Sequence, residues 1–205
     1  IAYQNSLSYA KERKQGKSNN NTSQNGSADF IIEHADIRKS LLTMKSIIEG
    51  ERALCFWLSQ QTEVSLHHTD EKIKQDAIDM VSLMTPVVKS LFSDMGMEIT
   101  SDAMQIHGGY GYTKDQGIEQ IYRDNRITPS YEGTNSIHAR DFVFRELVNK
   151  NGDIIKKYIN LIKGDLNEND KNLKPFIEKL KIYVEKLDAF SKWMKDKIKI
   201  SKDDA

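Results

Sequence analysis

Two stretches of this chain carry residue types and spacings from which a reaction centre can be built. One is Gln105-Ile106-His107-Gly108-Gly109-Tyr110-Gly111-Tyr112; the other runs Tyr122-Arg123-Asp124-Asn125-Arg126-Ile127-Thr128-Pro129-Ser130-Tyr131-Glu132-Gly133-Thr134-Asn135. Glu132 stands between Tyr131 and Gly133-Thr134, in a turn from which a carboxylate projects freely, and the glycine admits a close approach of backbone to a ligand. A carboxylate suits removal of a weakly acidic proton from carbon. It needs a dry site that raises its pKa, and donors that polarise the neighbouring carbonyl oxygen. The plain alternative is an exposed Glu capping a helix that begins near Gly133. In the first stretch, two glycines after a long helical pattern are a C-terminal stop, and their N–H groups can also cradle phosphate oxygens. A Rossmann fingerprint is excluded, because a helix and not a strand precedes the pair. Arg13, in Lys11-Glu12-Arg13-Lys14-Gln15-Gly16, is either a cap on the last carbonyls of a helix or a bidentate phosphate ligand.

Helices have to position these groups. The chain has only 3 prolines in 205 residues, which favours long helices, and no stretch alternates with turn signals at strand spacing. The fold class is all-α, an up-down helical bundle with extra C-terminal helices. Residues 1–15 read as helix. Residues 16–28, rich in Asn, Ser and Gly, read as a flexible connector. Helix resumes near Ile37, with Leu41, Met44, Ile47, Ile48, Leu54, Cys55 and Leu58 as its apolar stripe and Gly50 as a weak point. The next helix begins at the cap candidates Thr69-Asp70, is expected to kink at Pro86, and stops at Gly108-Gly109. Residues 108–116 read as a loop and Tyr122 to Ile127 as a short helix ended before Pro129. A further helix spans Gly133 to Leu147 with Ile137, Phe142, Phe144 and Leu147 inward. After Asn151-Gly152 the composition shifts to lysine and asparagine. Two helices follow, near 153–163 and 170–199, the last with Phe176, Leu180, Tyr183, Leu187, Phe190 and Met194 on one stripe. The domain reading is a bundle over 1–150 with a flexible insert at 16–29, then an extension over 151–205.

Composition excludes several classes. Lys+Arg and Asp+Glu both number 30, so no net field attracts nucleic acid or an anionic membrane. The single cysteine, Cys55, cannot form an internal disulfide and suits a reducing compartment, cytoplasmic or a mitochondrial matrix. No apolar run spans a bilayer, and no signal-peptide pattern is present. His34, His67, His68 and His107 lack metal-ligand spacing, and no metal is assigned. The chain opens at Ile1 inside a helical pattern, so it is expected to be a piece of a longer protein.

In the two stretches above and in Arg13-Lys14-Gln15, the chain resembles the C-terminal helical domain of flavin-dependent acyl-CoA dehydrogenases. The resemblance covers about residues 3–148 and is densest at 103–135. It implies that Glu132 abstracts the α proton of an acyl-CoA thioester while a hydride leaves carbon β for FAD, giving a trans-2-enoyl-CoA. Tyr131, Glu132 and Gly133 would meet the substrate, the Glu132 N–H would help hold the thioester carbonyl, and Thr134 would lie against the flavin phosphates. Arg13, Gln15, Gln105 and Gly109 inherit contacts with the flavin of a neighbouring subunit, so a homodimer or homotetramer is implied, with electron-transfer flavoprotein as acceptor. The family's Phe after Gln15 is missing, and Ser136 replaces its Gln or Glu. Arg123-Asp124 and Arg126 are read as a buried scaffold ion pair. The C-terminal extension and the insert are similar to the subgroup that includes methylthiopropionyl-CoA dehydrogenases. The chain alone is expected to be inactive, and the alternative is a non-catalytic helical oligomerisation module derived from the family.

Overall fold

The structure, a computed structural model, describes residues 1–19, 27–148, 152–166 and 172–200. The connector residues 20–26, the boundary at 150–151 and the expected helix start at 170–171 lie outside them. Among the described residues the regular elements are all helices, with one isolated antiparallel bridge between Lys14 and Phe30. The helices are α1 (Ala2–Glu12), α2 (Ala35–His67), α3 (Glu71–His107), α4 (Gly109–Tyr112), α5 (Ile118–Asn125), α6 (Asn135–Asp141), α7 (Asp153–Asp165) and α8 (Lys174–Ile200). Among the described residues no helix is long and apolar enough to cross a membrane.

Contacts divide the chain into two compact units, Ile1–Trp57 with Lys89–Thr134, and Leu58–Val88 with Asn135–Ala205. In the first unit the core gathers Ala2 and Ala10 of α1, Leu41 and Met44 of α2, Ile99, Ala103 and Ile106 of α3, and Ile118 of α5. The i, i+4, i+7 spacing on α3 puts its three residues on one stripe. In the second unit α7 packs on α8. Buried residues there include Ala77, Met80 and Leu83 of α3, Ile154, Ile155 and Ile159 of α7, and Val184, Met194 and Ile198 of α8. Lys157 of α7 donates to Asp76 at 2.6 Å and to Asp79 at 2.8 Å, and Gln75 donates to the other oxygen of Asp79. Asp79 is buried, so the lysine and the amide supply partners to a carboxylate largely removed from water.

Local chemistry explains the boundaries. Asp70 caps α3, its Oδ1 accepting from the N–H groups of Lys72 and Ile73; these bonds favour the carboxylate and hold its pKa below the usual range. α3 runs unbroken through Pro86, and α2 through Gly50, where no neighbouring atom requires a glycine.

Several expectations are corrected. The segment 108–116 is not a plain loop but the single turn α4 followed by a 3-10 turn at Lys114–Gln116. α5 begins four residues before Tyr122, because Gly117 at φ 68° breaks the 3-10 turn and starts a new helix. The helix expected from Gly133 begins at Asn135 and changes to π-helix over Phe142–Val148, leaving Ile137 exposed. Arg123 is exposed and lies 3.7 Å from Glu119, one turn away on the same helix, while Asp124 accepts from Gln120. It is a local surface ladder, not a buried pair, and such i, i+4 contacts are worth only about 0.3–0.5 kcal/mol.

The buried stripe of α8 is Val184, Ser191, Met194 and Ile198; Phe176, Leu180, Tyr183 and Phe190 face outward. Lysines lie over the outward rings, Lys186 on Tyr183 and Lys197 on Trp193, at 5.7 and 5.9 Å. The helix has two apolar stripes, and periodicity alone cannot choose between them.

The ends of the insert are also fixed. Gln15 N–H donates to the Asp29 carbonyl, Asp29 N–H to the Gly16 carbonyl, and Ile31 N–H to the Arg13 carbonyl, at 2.8–3.0 Å. The buried Asp29 side chain accepts from the Ser18 N–H and hydroxyl. Residues 15, 16, 18 and 29, at the two ends of the insert, are thus joined by hydrogen bonds.

Candidate functional site

Two groups of candidate residues come together, each within the first unit. The first lines a cleft of about 450 Å³ that includes Arg13, Gln15, His34, Gln105, His107 and Gly108. Arg13 arrives at the end of α1, where the chain leaves the helix in extended conformation. Its guanidinium lies 5.8 Å from the centre of the Tyr110 ring. Gln105 and His107 come from the last turn of α3. His107 is buried, stacked on Tyr9 with ring centres 4.3 Å apart, and its Nδ1 lies 2.8 Å from the Ala103 carbonyl. A carbonyl can only accept, so Nδ1 carries the proton and Nε2 is left for another partner.

Gly108 has φ 58° and ψ −142°, a conformation open in practice to glycine. It reverses the chain so that α4 folds back on the end of α3. There a Cβ on Gly111 would fall 2.6 Å from the Met104 carbonyl oxygen and 2.9 Å from Met104 Cα. No atom lies near the Cβ position of Gly109, which leaves its backbone open to a ligand. The second glycine of the pair is thus next to the cleft, and the third is a packing requirement.

His34 carries no sign of a site role in its sequence surroundings. Its Nε2 donates to the Gln15 carbonyl at 2.7 Å, and it shares the cleft with Arg13. The two are 21 positions apart in sequence, and the paired neck of the insert closes that distance. The neck lies in the backbone pairing of Lys14 and Phe30, which neither periodicity nor composition displays.

The second group is the turn after α5. Thr128 N–H donates to the Asn125 carbonyl, and Ser130 and Tyr131 N–H groups to the Ile127 carbonyl. Glu132 follows at φ 52°, the one non-glycine residue with positive φ among the described residues, and Gly133 continues at φ 89°. A left-handed L-residue costs roughly 1–2 kcal/mol, and such positions cluster where surrounding structure holds them for function. Lys89 of α3 reaches across 44 positions to donate to the Gly133 carbonyl at 2.6 Å. A charge-assisted hydrogen bond of this kind helps to hold the turn in its strained conformation. Tyr131, Glu132, Gly133 and Thr134 are all exposed, and none of them lines the cleft of Arg13 and Gln105.

The sequence matches the family described as acyl-CoA dehydrogenase, C-terminal domain, over residues 2–147. The chain belongs to the acyl-CoA dehydrogenase family. It is 35% identical to 3-methylmercaptopropionyl-CoA dehydrogenase of Ruegeria pomeroyi over 161 residues, covering 78% of this chain and 27% of that protein. It is 36% identical to a butyryl-CoA dehydrogenase of Syntrophomonas wolfei over 170 residues, 83% of this chain and 27% of that one. The chain spans about a quarter of the length of these relatives. The solved structure Bd2924, in its apo form, matches 95% of this chain and 36% of its own with a TM-score of 0.63 at 16% identity, a likeness of fold alone.

One carboxylate of this acyl-CoA dehydrogenase domain stands apart from both groups. Glu51 of α2 has an oxygen, Oε1, shut off from solvent with no hydrogen-bond partner. Burial pushes its pKa up to about 7 from the ordinary 4.5. The unfolded chain then releases this proton at lower pH than the folded one, so its contribution to stability is full below about pH 4.5, is lost as pH rises to about 7, and is flat above. Urea midpoints measured at pH 5 and pH 7.5 should fall with rising pH more in the wild type than in Glu51→Gln. An equal fall in both would show that Glu51 is solvated.

Proposed function

We propose that this chain is the base-bearing C-terminal part of a flavin-dependent acyl-CoA dehydrogenase, with 1–150 as the family domain and 151–205 as an extension. The observation that carries the reading is Glu132 in left-handed conformation within the turn Tyr131-Glu132-Gly133-Thr134. In this reading the Glu132 carboxylate takes the proton from carbon α as a hydride leaves carbon β, and the two carbons form the double bond of a trans-2-enoyl-CoA. The Glu132 N–H helps hold the thioester carbonyl, which makes the α proton more acidic. Tyr131 and Gly133 flank the acyl group, and Thr134 reaches the flavin phosphates.

The residues present suit FAD. One guanidinium, two carboxamides and two imidazoles line the cleft together with one carboxylate, Asp36; Arg13 and the carboxamides are the donors suited to an anionic pyrophosphate, and the backbone at Gly109 is open beside them. When bound, FAD supplies the two-electron acceptor for the hydride. Arg13, Gln15, Gln105 and Gly109 serve the flavin held by a second copy, which accounts for their separation from the Glu132 turn. Electron-transfer flavoprotein then reoxidises the enzyme.

A base of this kind works best desolvated, and Glu132 is exposed here. The acyl-CoA and protein segments other than this turn supply the missing walls, so the chain by itself does not turn over. The test is a visible absorption spectrum with FAD and then a short acyl-CoA added anaerobically. The flavin-loaded enzyme should bleach and release enoyl-CoA, and this chain alone should not. Bleaching by the chain alone would refute its dependence on other segments, and an enzyme that binds FAD yet never bleaches with any acyl-CoA would refute the reaction.

A further inference from the structure

We propose that Lys89 is a positioning residue for Glu132, acting through the Gly133 carbonyl; this rests on Glu132 being the base. A carboxylate in a turn of two consecutive positive-φ residues has no helix or strand to fix its direction. The peptide planes on either side of it help to set its aim. The plane after Gly133 is fixed from outside the turn, since its carbonyl oxygen accepts from Lys89 Nζ at 2.6 Å. Lys89 belongs to α3, a helix of 37 residues, and is itself partly buried. A strained, exposed turn is thereby held by a cation on a rigid element, at the residue after the candidate base.

The donor has to be long enough to reach the carbonyl from α3. Methionine at 89 keeps the apolar stem and removes the donor, whereas arginine keeps a charged donor. Backbone on the N-terminal side of Glu132 is held by the Asn125 and Ile127 carbonyls, so loss of the lysine frees only the far side. The base is then misaimed without the substrate contacts being removed, a loss realised in the transition state more than in binding.

Two measurements test this separately. In this chain, amide hydrogen exchange at Gly133, Thr134 and Asn135 should rise by at least about 10-fold in Lys89→Met and return towards wild type in Lys89→Arg, with exchange in the middle of α3 unchanged. In the flavin-loaded enzyme, Lys89→Met should lower kcat by about 10- to 100-fold, the scale of a small misplacement, with KM for the acyl-CoA changed less than about 3-fold. Unchanged exchange in the turn would overturn the proposal whatever Glu132 does. Loosened exchange with unchanged kcat would overturn it too, provided Glu132→Gln is inactive in the same assay. An active Glu132→Gln enzyme would instead remove the base assignment on which the proposal stands, and the exchange result would still report whether Lys89 holds the turn.

Discussion

Glu132→Gln in the flavin-loaded enzyme is expected to slow flavin reduction by an acyl-CoA by about 10²- to 10⁴-fold, the span usual for losing a general base. The carboxamide has nearly the shape of the carboxylate and cannot take the proton. Gln tolerates the left-handed φ of 52° no worse than Glu, so the turn should survive. Lys89 donates to the Gly133 carbonyl, a backbone bond that the substitution leaves in place. Binding of acyl-CoA should therefore change little while the chemical step collapses. The measurement is stopped-flow bleaching of the flavin together with exchange of the α proton into deuterated solvent. Retention of both rates would assign the base to another residue.

The second large effect is expected away from the chemistry. Gly111→Ala should destabilise the protein by about 1–3 kcal/mol, the usual cost of forcing an extra carbon into a packed site. The added Cβ would meet the Met104 backbone oxygen at 2.6 Å and the His107 Cβ at 3.0 Å. Met104 and His107 belong to α3, whose backbone cannot step aside without breaking its ladder. Relief must come from lifting α4 off the end of α3, which moves Tyr110 from beneath Arg13 and disturbs the cleft. Urea denaturation should show a lower midpoint, and FAD affinity of the assembled enzyme should fall with it. Gly109→Ala, with open space at its Cβ, should leave stability nearly unchanged. Equal stability of Gly111→Ala and wild type would show that α4 is not pinned to α3.

These effects indicate which parts of the molecule could be read in advance. The Gly108-Gly109 stop, the Asp70 cap and the Glu132 turn were legible because each depends on the residue type at one backbone position. Glycine at positive φ and a carboxylate at a helix start are local rules. The α8 face was legible only at Met194, which is buried as expected; Phe176, Leu180, Tyr183 and Phe190 of the same stripe lie outward while Val184, Ser191 and Ile198 are buried, a choice made by what α7 offers in return. Arg123 misled for a related reason, since a charged pair in sequence says nothing of burial. Glu51 and His34 were missed because one owes its character to desolvation and the other to chain pairing across an insert. Lys89 lies 44 positions from its acceptor, and no periodicity connects the two.

The paired neck at residues 13–16 and 29–31 bears on the length of the insert it closes. Closing a loop grows more costly only with the logarithm of its length, about 0.6 kcal/mol for each doubling. Once Gln15 donates to the Asp29 carbonyl and Asp29 to the Gly16 carbonyl, residues added or lost between Gly16 and Asp29 change the closure term slightly and leave Arg13 and His34 in register. A segment of quite different length could therefore replace the one that the neck closes without moving the cleft residues on either side of it.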